Sequence, residues 1–307
     1  MRFNLVTAAL AFGLLSVSAA NAARLTDQPL VDAAWLKQHL GAPDLVIVDV
    51  RDATDAGDAY AQGHVPGAVP AAYSTFGWRA SVDGAPGLLP APGDIGARIA
   101  SLGIGNDTEV VIVPAGTNAS EFGSATRVYW TFKVLGHDNV TILNGGWRAW
   151  TAAGEPVSTD PVTPQKADFT PVLRPDLRAD IAAVEKAIKG DANLVDARSV
   201  AQFIGQQKTN TVKELGTIPT AVNINFSDFY DDKTGTFANR DTIDALVKKA
   251  GILGKDNVIT FCNTGHLASI AWFGLSEVEG LKHVRLYDGS MSQWTQDPAR
   301  PVVVGAR

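Results

Sequence analysis

Val48-Asp49-Val50-Arg51 returns in the second half of the chain as Val195-Asp196-Ala197-Arg198. Each copy follows a short apolar run and ends on an acid and a base two residues apart, the composition of a buried strand that closes on an ion pair. Working outward, three more phrases recur in the same order. Gly63-His64-Val65-Pro66-Gly67-Ala68-Val69 is answered by Gly216-Thr217-Ile218-Pro219-Thr220-Ala221-Val222, and the apolar run Val110 to Val113 by Val258 to Phe261. Leu143-Asn144-Gly145-Gly146-Trp147, closing at Trp150, is answered by Leu286-Tyr287-Asp288-Gly289-Ser290, closing at Trp294. A repeat of roughly 150 residues is a duplicated domain, whereas solenoid units repeat every ~20–50.

Within each copy, apolar runs of four or five, such as Leu45 to Val48, alternate with helical patterns such as Asp94 to Leu102 and Ala125 to Leu135. Strands buried on both faces and separated by helices form parallel sheets. The expected fold class is α/β, with two tandem domains, each a parallel β-sheet flanked by helices on both faces. Residues 155–175 hold Pro156, Pro161, Pro164, Pro171 and Pro175 without periodicity, a linker composition. The expected division is a first domain over 23–154, the Pro-rich linker over 155–175 and a second domain over 176–307.

Residues 1–22 read as a secretory signal peptide: Arg2, then an apolar stretch from Leu5 to Val17, then Ala20-Asn21-Ala22 as an A-x-A cleavage site. The apolar stretch is shorter than the ~20 residues that a spanning helix needs. An exported, periplasmic protein without stable membrane insertion after cleavage is expected. Cleavage removes one positive charge, so the net charge falls from −6 to −7, with 25 Lys and Arg against 32 Asp and Glu. Such a balance argues against a nucleic-acid partner and leaves room for a local basic pocket.

Cys262 is the only cysteine, so it cannot join an intramolecular disulfide. By composition alone it reads as a small buried hydrophobe. Its context points elsewhere, because Cys262-Asn263-Thr264-Gly265-His266-Leu267-Ala268 joins the strand run Val258 to Phe261 to a helical stretch reaching Val278. Ligands of open α/β sheets collect where strands end and helices begin. There the backbone N–H groups of a glycine-containing loop form an anion nest that stabilises a thiolate or persulfide.

With the repeated Asp-x-Arg, the proline phrase and Tyr287-Asp288-Gly289-Ser290-Met291-Ser292-Gln293-Trp294, this loop resembles that of the tandem-domain rhodaneses, the thiosulfate and 3-mercaptopyruvate sulfurtransferases. The resemblance runs from about Val31 to Val303. It implies a rhodanese-like first domain without a catalytic cysteine, here Pro114-Ala115-Gly116-Thr117, and a catalytic second domain. It also implies a double displacement through a Cys262 persulfide, with a small sulfur-donor anion and a thiol or cyanide acceptor as partners. The chain departs from the family at the donor grip. Neutral Asn263 and Thr264 follow the cysteine where the thiosulfate branch carries basic residues, and Gln202 stands where the mercaptopyruvate branch carries a carboxylate-binding arginine. Thr264 falls where that branch has a serine hydroxyl, and its histidine ahead of the Leu-Pro turn is replaced by Pro86-Gly87 before Leu88-Leu89-Pro90.

The candidate substrate-binding residues are Arg79, Gln202, Lys208 and Arg198, with Lys213 a further cation. His266 reads as a loop residue with a solvated ring, and His64 as a turn residue. Asp49, Arg51, Asp196 and Arg198 read as repeated structural ion pairs, and Trp147, Trp150 and Trp294 as packing residues. The five histidines lack metal-ligand spacing, so neither metal nor cofactor is expected. Two other functions compete. A cysteine phosphatase needs an arginine at the sixth position after the cysteine, where Ala268 stands. A non-catalytic persulfide carrier or partner-binding protein is the second.

Overall fold

The computed structural model describes residues 24–252 and 257–306. The signal peptide read at 1–22 lies outside the described residues. In the first half come β1 (Leu30–Val31), α1 (Ala33–His39), β2 (Leu45–Asp49), α2 (Ala59–Gln62), β3 (Val69–Pro70), β4 (Ala80–Val82) and β5 (Ala85–Leu88). They are followed by α3 (Pro92–Ser101), β6 (Glu109–Val113), α4 (Ala119–Val134), β7 (Val140–Leu143) and α5 (Gly146–Ala152). The second half runs α6 (Ile181–Ile188), β8 (Asn193–Asp196), α7 (Val200–Phe203), β9 (Val222–Asn223), β10 (Tyr230–Asp231), β11 (Thr236–Phe237) and α8 (Arg240–Lys249). It closes with β12 (Asn257–Phe261), α9 (Leu267–Phe273), β13 (His283–Leu286) and α10 (Ser290–Trp294).

The first sheet is parallel in the order β1-β7-β6-β2-β3, and the second is parallel in the order β13-β12-β8-β9. A parallel bridge between Arg178 and Leu286 occupies in the second sheet the place that β1 takes in the first. Side-chain alternation explains why the strands are apolar throughout. On β6, Val110 and Ile112 enter one core with Ile95, Ile99 and Phe122, while Val111 and Val113 enter another with Leu36 and Trp150. On β12, Val258 faces Ile243 and Trp272, and Ile259 and Phe261 face Val184 and Trp294. Each sheet is therefore covered on both faces by helices, the arrangement expected of buried parallel strands.

The repeated phrases do equivalent work. Arg51 grips Asp49 through Nε and Nη2 and donates to the Gly63 carbonyl, and Arg198 does the same with Asp196 and Gly216. The Trp150 indole donates to the Pro156 carbonyl and the Trp294 indole to the Pro301 carbonyl. Trp147 is half-buried and lies under the Arg51 guanidinium, 4.4 Å away.

The helix expected from Ala125 begins earlier, at Ala119. Asn118 caps it by accepting the Glu121 N–H. Its first turns carry Ser120, Glu121, Gly123 and Ser124, which hid it from an apolar-periodicity reading. Thirteen of its sixteen residues are buried, because α4 packs on its own sheet and also against α9 of the other domain. Thr126 Oγ1 and Ser269 Oγ lie 2.8 Å apart, Tyr129 packs edge-on against Phe273, and the Tyr129 hydroxyl donates to Glu277. One hydrophobic core consequently spans both halves.

The Pro-rich segment, free of helix and strand from 159 to 174, lies along the first domain. Ala167 donates to the Ala100 carbonyl, Val172 to that of Leu135 and Arg174 to that of Val134.

Candidate active site

Cys262 follows the last residue of β12 and is 1 % exposed. The loop it opens is clamped from below by the start of α10, where Met291 N–H donates to the Cys262 carbonyl and Ser292 N–H to the Asn263 carbonyl. The Ser290 hydroxyl accepts the N–H groups of both Cys262 and Gly265 and donates to the Tyr287 carbonyl. Two N–H groups expected in an anion nest are thus already used. Those of Asn263, Thr264, His266, Leu267 and Ala268 have no acceptor among the described residues, so the nest persists around the outer part of the loop.

The first copy supplies a control. Its loop begins at Pro114, and Trp147 and Arg148 donate to the carbonyls of Pro114 and Ala115, as Met291 and Ser292 do in the second copy. There the Glu121 carboxylate accepts the N–H groups of Ala115 and Gly116 at 2.6 and 2.7 Å. Burial pushes its proton affinity up, and the backbone N–H groups oppose that shift. This loop geometry therefore binds an anion, and in the copy without a cysteine the anion is built in.

The sequence candidates separate in space. Gln202 reaches the loop, its Oε1 accepting from Asn263 Nδ2 at 2.8 Å. The Asn263 Oδ1 is buried without a donor among the described residues. Arg79 comes from the first domain, just after buried Trp78, and lies 4.6 Å over the Tyr73 ring with no ion pair or hydrogen bond among the described residues. With Tyr73, Ser74 and Thr264 it lines two adjoining cavities of about 270 and 590 Å³ between the domains. The larger one reaches His266, Ser120 and Glu121. Arg198 is fully buried in its ion pair just past the end of β8, a framework position. Lys208 does not reach the loop: its ammonium donates to the carbonyls of Val212 and Lys213 and closes its own turn. Lys213 is exposed.

His266 does not point into water. Its Nε2 lies 2.8 Å from the Ser120 carbonyl and its Nδ1 2.7 Å from the Tyr73 hydroxyl. Burial, with Arg79 nearby, holds its pKa down at about 4, and burial raises that of Tyr73 to about 12. A carbonyl only accepts, so the neutral ring carries its hydrogen on Nε2 and takes the Tyr73 proton on Nδ1. His64 is buried between the carbonyls of Tyr60 and Asp160, tying α2 to the linker.

Tyr73, Glu121, Arg127 and Asp288 were missed from sequence. Asp288 accepts the Leu89 N–H across the interface and pairs with Arg178. Arg127 had a readable signal: it is a charge inside Ala125-Thr126-Arg127-Val128-Tyr129-Trp130-Thr131-Phe132, a helical stretch with no other charge, and such a charge is buried. A groove of about 730 Å³ lined by Arg174, Arg178, Arg285 and Asp288 exceeds the interdomain cavities, but no residue of the Cys262 loop lines it. Among the described residues no group of three or more His, Cys, Asp or Glu could hold a metal ion. None of their helices is long and apolar enough to cross a membrane.

Two parallel α/β domains with one cysteine-led loop at the carboxyl end of an interior strand of the second define the class. The rhodanese-like domain model matches residues 32–153 and again 180–297, and the chain belongs to that family. A Haloferax volcanii protein named "Putative thiosulfate sulfurtransferase" is 33% identical over 290 residues, covering 90% of this chain and 96% of its own. A Mycobacterium tuberculosis protein named "Putative thiosulfate sulfurtransferase SseB" is 34% identical over 284 residues, with 90% and 96% covered. These relatives place the chain among the sulfurtransferases. In three dimensions it is similar to an anaerobic ergothioneine biosynthesis enzyme from Chlorobium limicola, solved with its natural substrate trimethyl histidine. The TM-score is 0.76 at 25% identity, over 91% of this chain and 71% of the other. A solved structure that carries a cysteine persulfide and ergothioneine matches with the same TM-score at 26% identity, over the same shares.

Proposed function

We propose that the protein moves a sulfane sulfur from a small anionic donor, thiosulfate or 3-mercaptopyruvate, to a thiol or cyanide through a persulfide on Cys262. The observation that carries this reading is the pair of equivalent loops: one holds a carboxylate on its N–H groups, and the other offers such groups around the sole cysteine. The Cys262 thiolate attacks the outer sulfur of the donor. With thiosulfate, the donor S–S bond breaks and sulfite departs with the electron pair, leaving Cys–S–S⁻. The acceptor anion then attacks the terminal sulfur, and the cysteine leaves as thiolate. Arg79, in the interdomain cavity beside Thr264 and without an ion pair among the described residues, binds the donor's anionic end in place of the absent loop cations.

Intact-mass analysis tests the scheme. After incubation with thiosulfate, or separately with 3-mercaptopyruvate, the protein should become one sulfur atom heavier and return to its starting mass on addition of cyanide. Cys262→Ser should show no gain, since a hydroxyl cannot hold a persulfide. Loading by neither donor, with a Cys262 that still alkylates, would reject the enzyme in favour of the non-catalytic module. We further propose export to the periplasm on the strength of residues 1–22; a mature N-terminus at Ala23 in a periplasmic fraction is the expected finding.

A further inference from the structure

Arg127 sits on α4 of the domain without a cysteine. It is fully buried, yet its guanidinium makes no ion pair among the described residues. Nη1 donates to the Gly87 carbonyl at 2.7 Å and to that of Gly265, inside the catalytic loop, at 3.3 Å. Nε and Nη2 are buried without an acceptor among the described residues, and the guanidinium lies 4.9 Å over the Trp130 ring. A guanidinium taken out of water without a carboxylate costs several kcal/mol, and an apolar side chain of similar volume would fill the space without that penalty. A compensating negative charge is required.

Few charges face this cation. Asp288 is shared with the Leu89 N–H and with Arg178, and Arg79 has the same sign. The Tyr73 phenol and the His266 ring are neutral near pH 7. Among the described residues, Cys262, which opens the loop that Arg127 grips at Gly265, is the remaining group that can carry the missing charge. We infer that Arg127 is the buried counter-charge of the sulfur anion on Cys262, and that its bond to Gly265 fixes the loop where that charge acts. The inference rests on the sulfur-carrier reading above. In that cycle the enzyme sulfur bears one negative charge as thiolate and again as persulfide, so a cation that never titrates suits every state, which favours arginine over lysine or histidine. Arg127 is a positioning residue that acts through Cys262, and it makes the second domain's chemistry depend on the first.

The test measures Cys262 alkylation by iodoacetamide in the full two-domain chain, at pH 7 and at pH 10. Arg127→Met should react about tenfold more slowly than the parent at pH 7 and within about twofold of it at pH 10, where a thiol ionises without help. Arg127→Lys, which keeps the charge, should stay within about threefold at pH 7. A folded R127M protein that matches the parent at pH 7 overturns the inference, as does equal slowing at both pH values, the mark of blocked access. If R127M does not fold, R127K decides: near-parental reactivity at pH 7 supports the counter-charge, and equal slowing at both pH values rejects it. Persulfide loading is measured separately. Its failure in the parent protein, alongside the predicted alkylation pattern, would remove the sulfur-carrier reading and leave the counter-charge standing.

Discussion

Ser290 holds a left-handed backbone conformation (φ 51°) that its counterpart in the first copy, Gly146 (φ 56°), holds without a side chain. The strain, about 1 kcal/mol for a non-glycine residue, is outweighed by a hydroxyl that accepts two loop N–H groups, each worth about 1 kcal/mol. Ser290→Gly removes strain and hydrogen bonds together. Its melting temperature should therefore fall by only a few degrees while persulfide formation slows by about tenfold or more, as expected when reacting groups lose their alignment. Rapid-quench mass analysis alongside a thermal melt would show both. His266 makes a pH prediction. Above about pH 6.5 the ring is neutral in folded and unfolded chains; below it the unfolded chain takes up a proton that the folded chain resists until about pH 4. Stability is lost as pH falls through that window, and His266→Gln should flatten that part of a melting-temperature profile while leaving values above pH 7 less affected.

At the level of elements, α4 and α9 approach so closely at Gly123 that an added Cβ would lie 2.9 Å from His266 Nε2 and 3.1 Å from Ile270 Cδ1. Alanine normally gains about 1 kcal/mol over glycine inside a helix. Here Gly123→Ala should instead lower the melting temperature and slow sulfur loading, because it displaces the ring that ties the loop to Ser120 and Tyr73; a rise in melting temperature would show that the interface yields. This contact also marks the limit of what the sequence discloses. The strands, the Asp-x-Arg pairs and the Cys262 loop are legible because each is local and written twice. Arg79 is readable as a loose cation, but Lys208 in the same role is not, since only folding shows that its ammonium closes on Val212 and Lys213. Tyr73, Arg127 and Asp288 meet the loop from residues far away in sequence, and neither spacing nor periodicity encodes such meetings.

For the molecule as a whole, a core shared between α4 and α9 means that neither domain can expose its inner face without exposing the other's. Calorimetry of residues 23–307 should give one transition with equal calorimetric and van't Hoff enthalpies, and two resolved transitions would show that the halves are energetically separate. Glu121 also limits what the first copy could be made to do. A cysteine placed at Pro114 would arrive in a cradle whose donors are occupied by a tethered carboxylate, and its thiolate would meet negative charge where the second copy offers free N–H groups. Such a variant should remain silent until Glu121 is also replaced. The first loop carries its own tethered inhibitor, so a second sulfur site on this chain takes two substitutions, the first of which alone gains nothing.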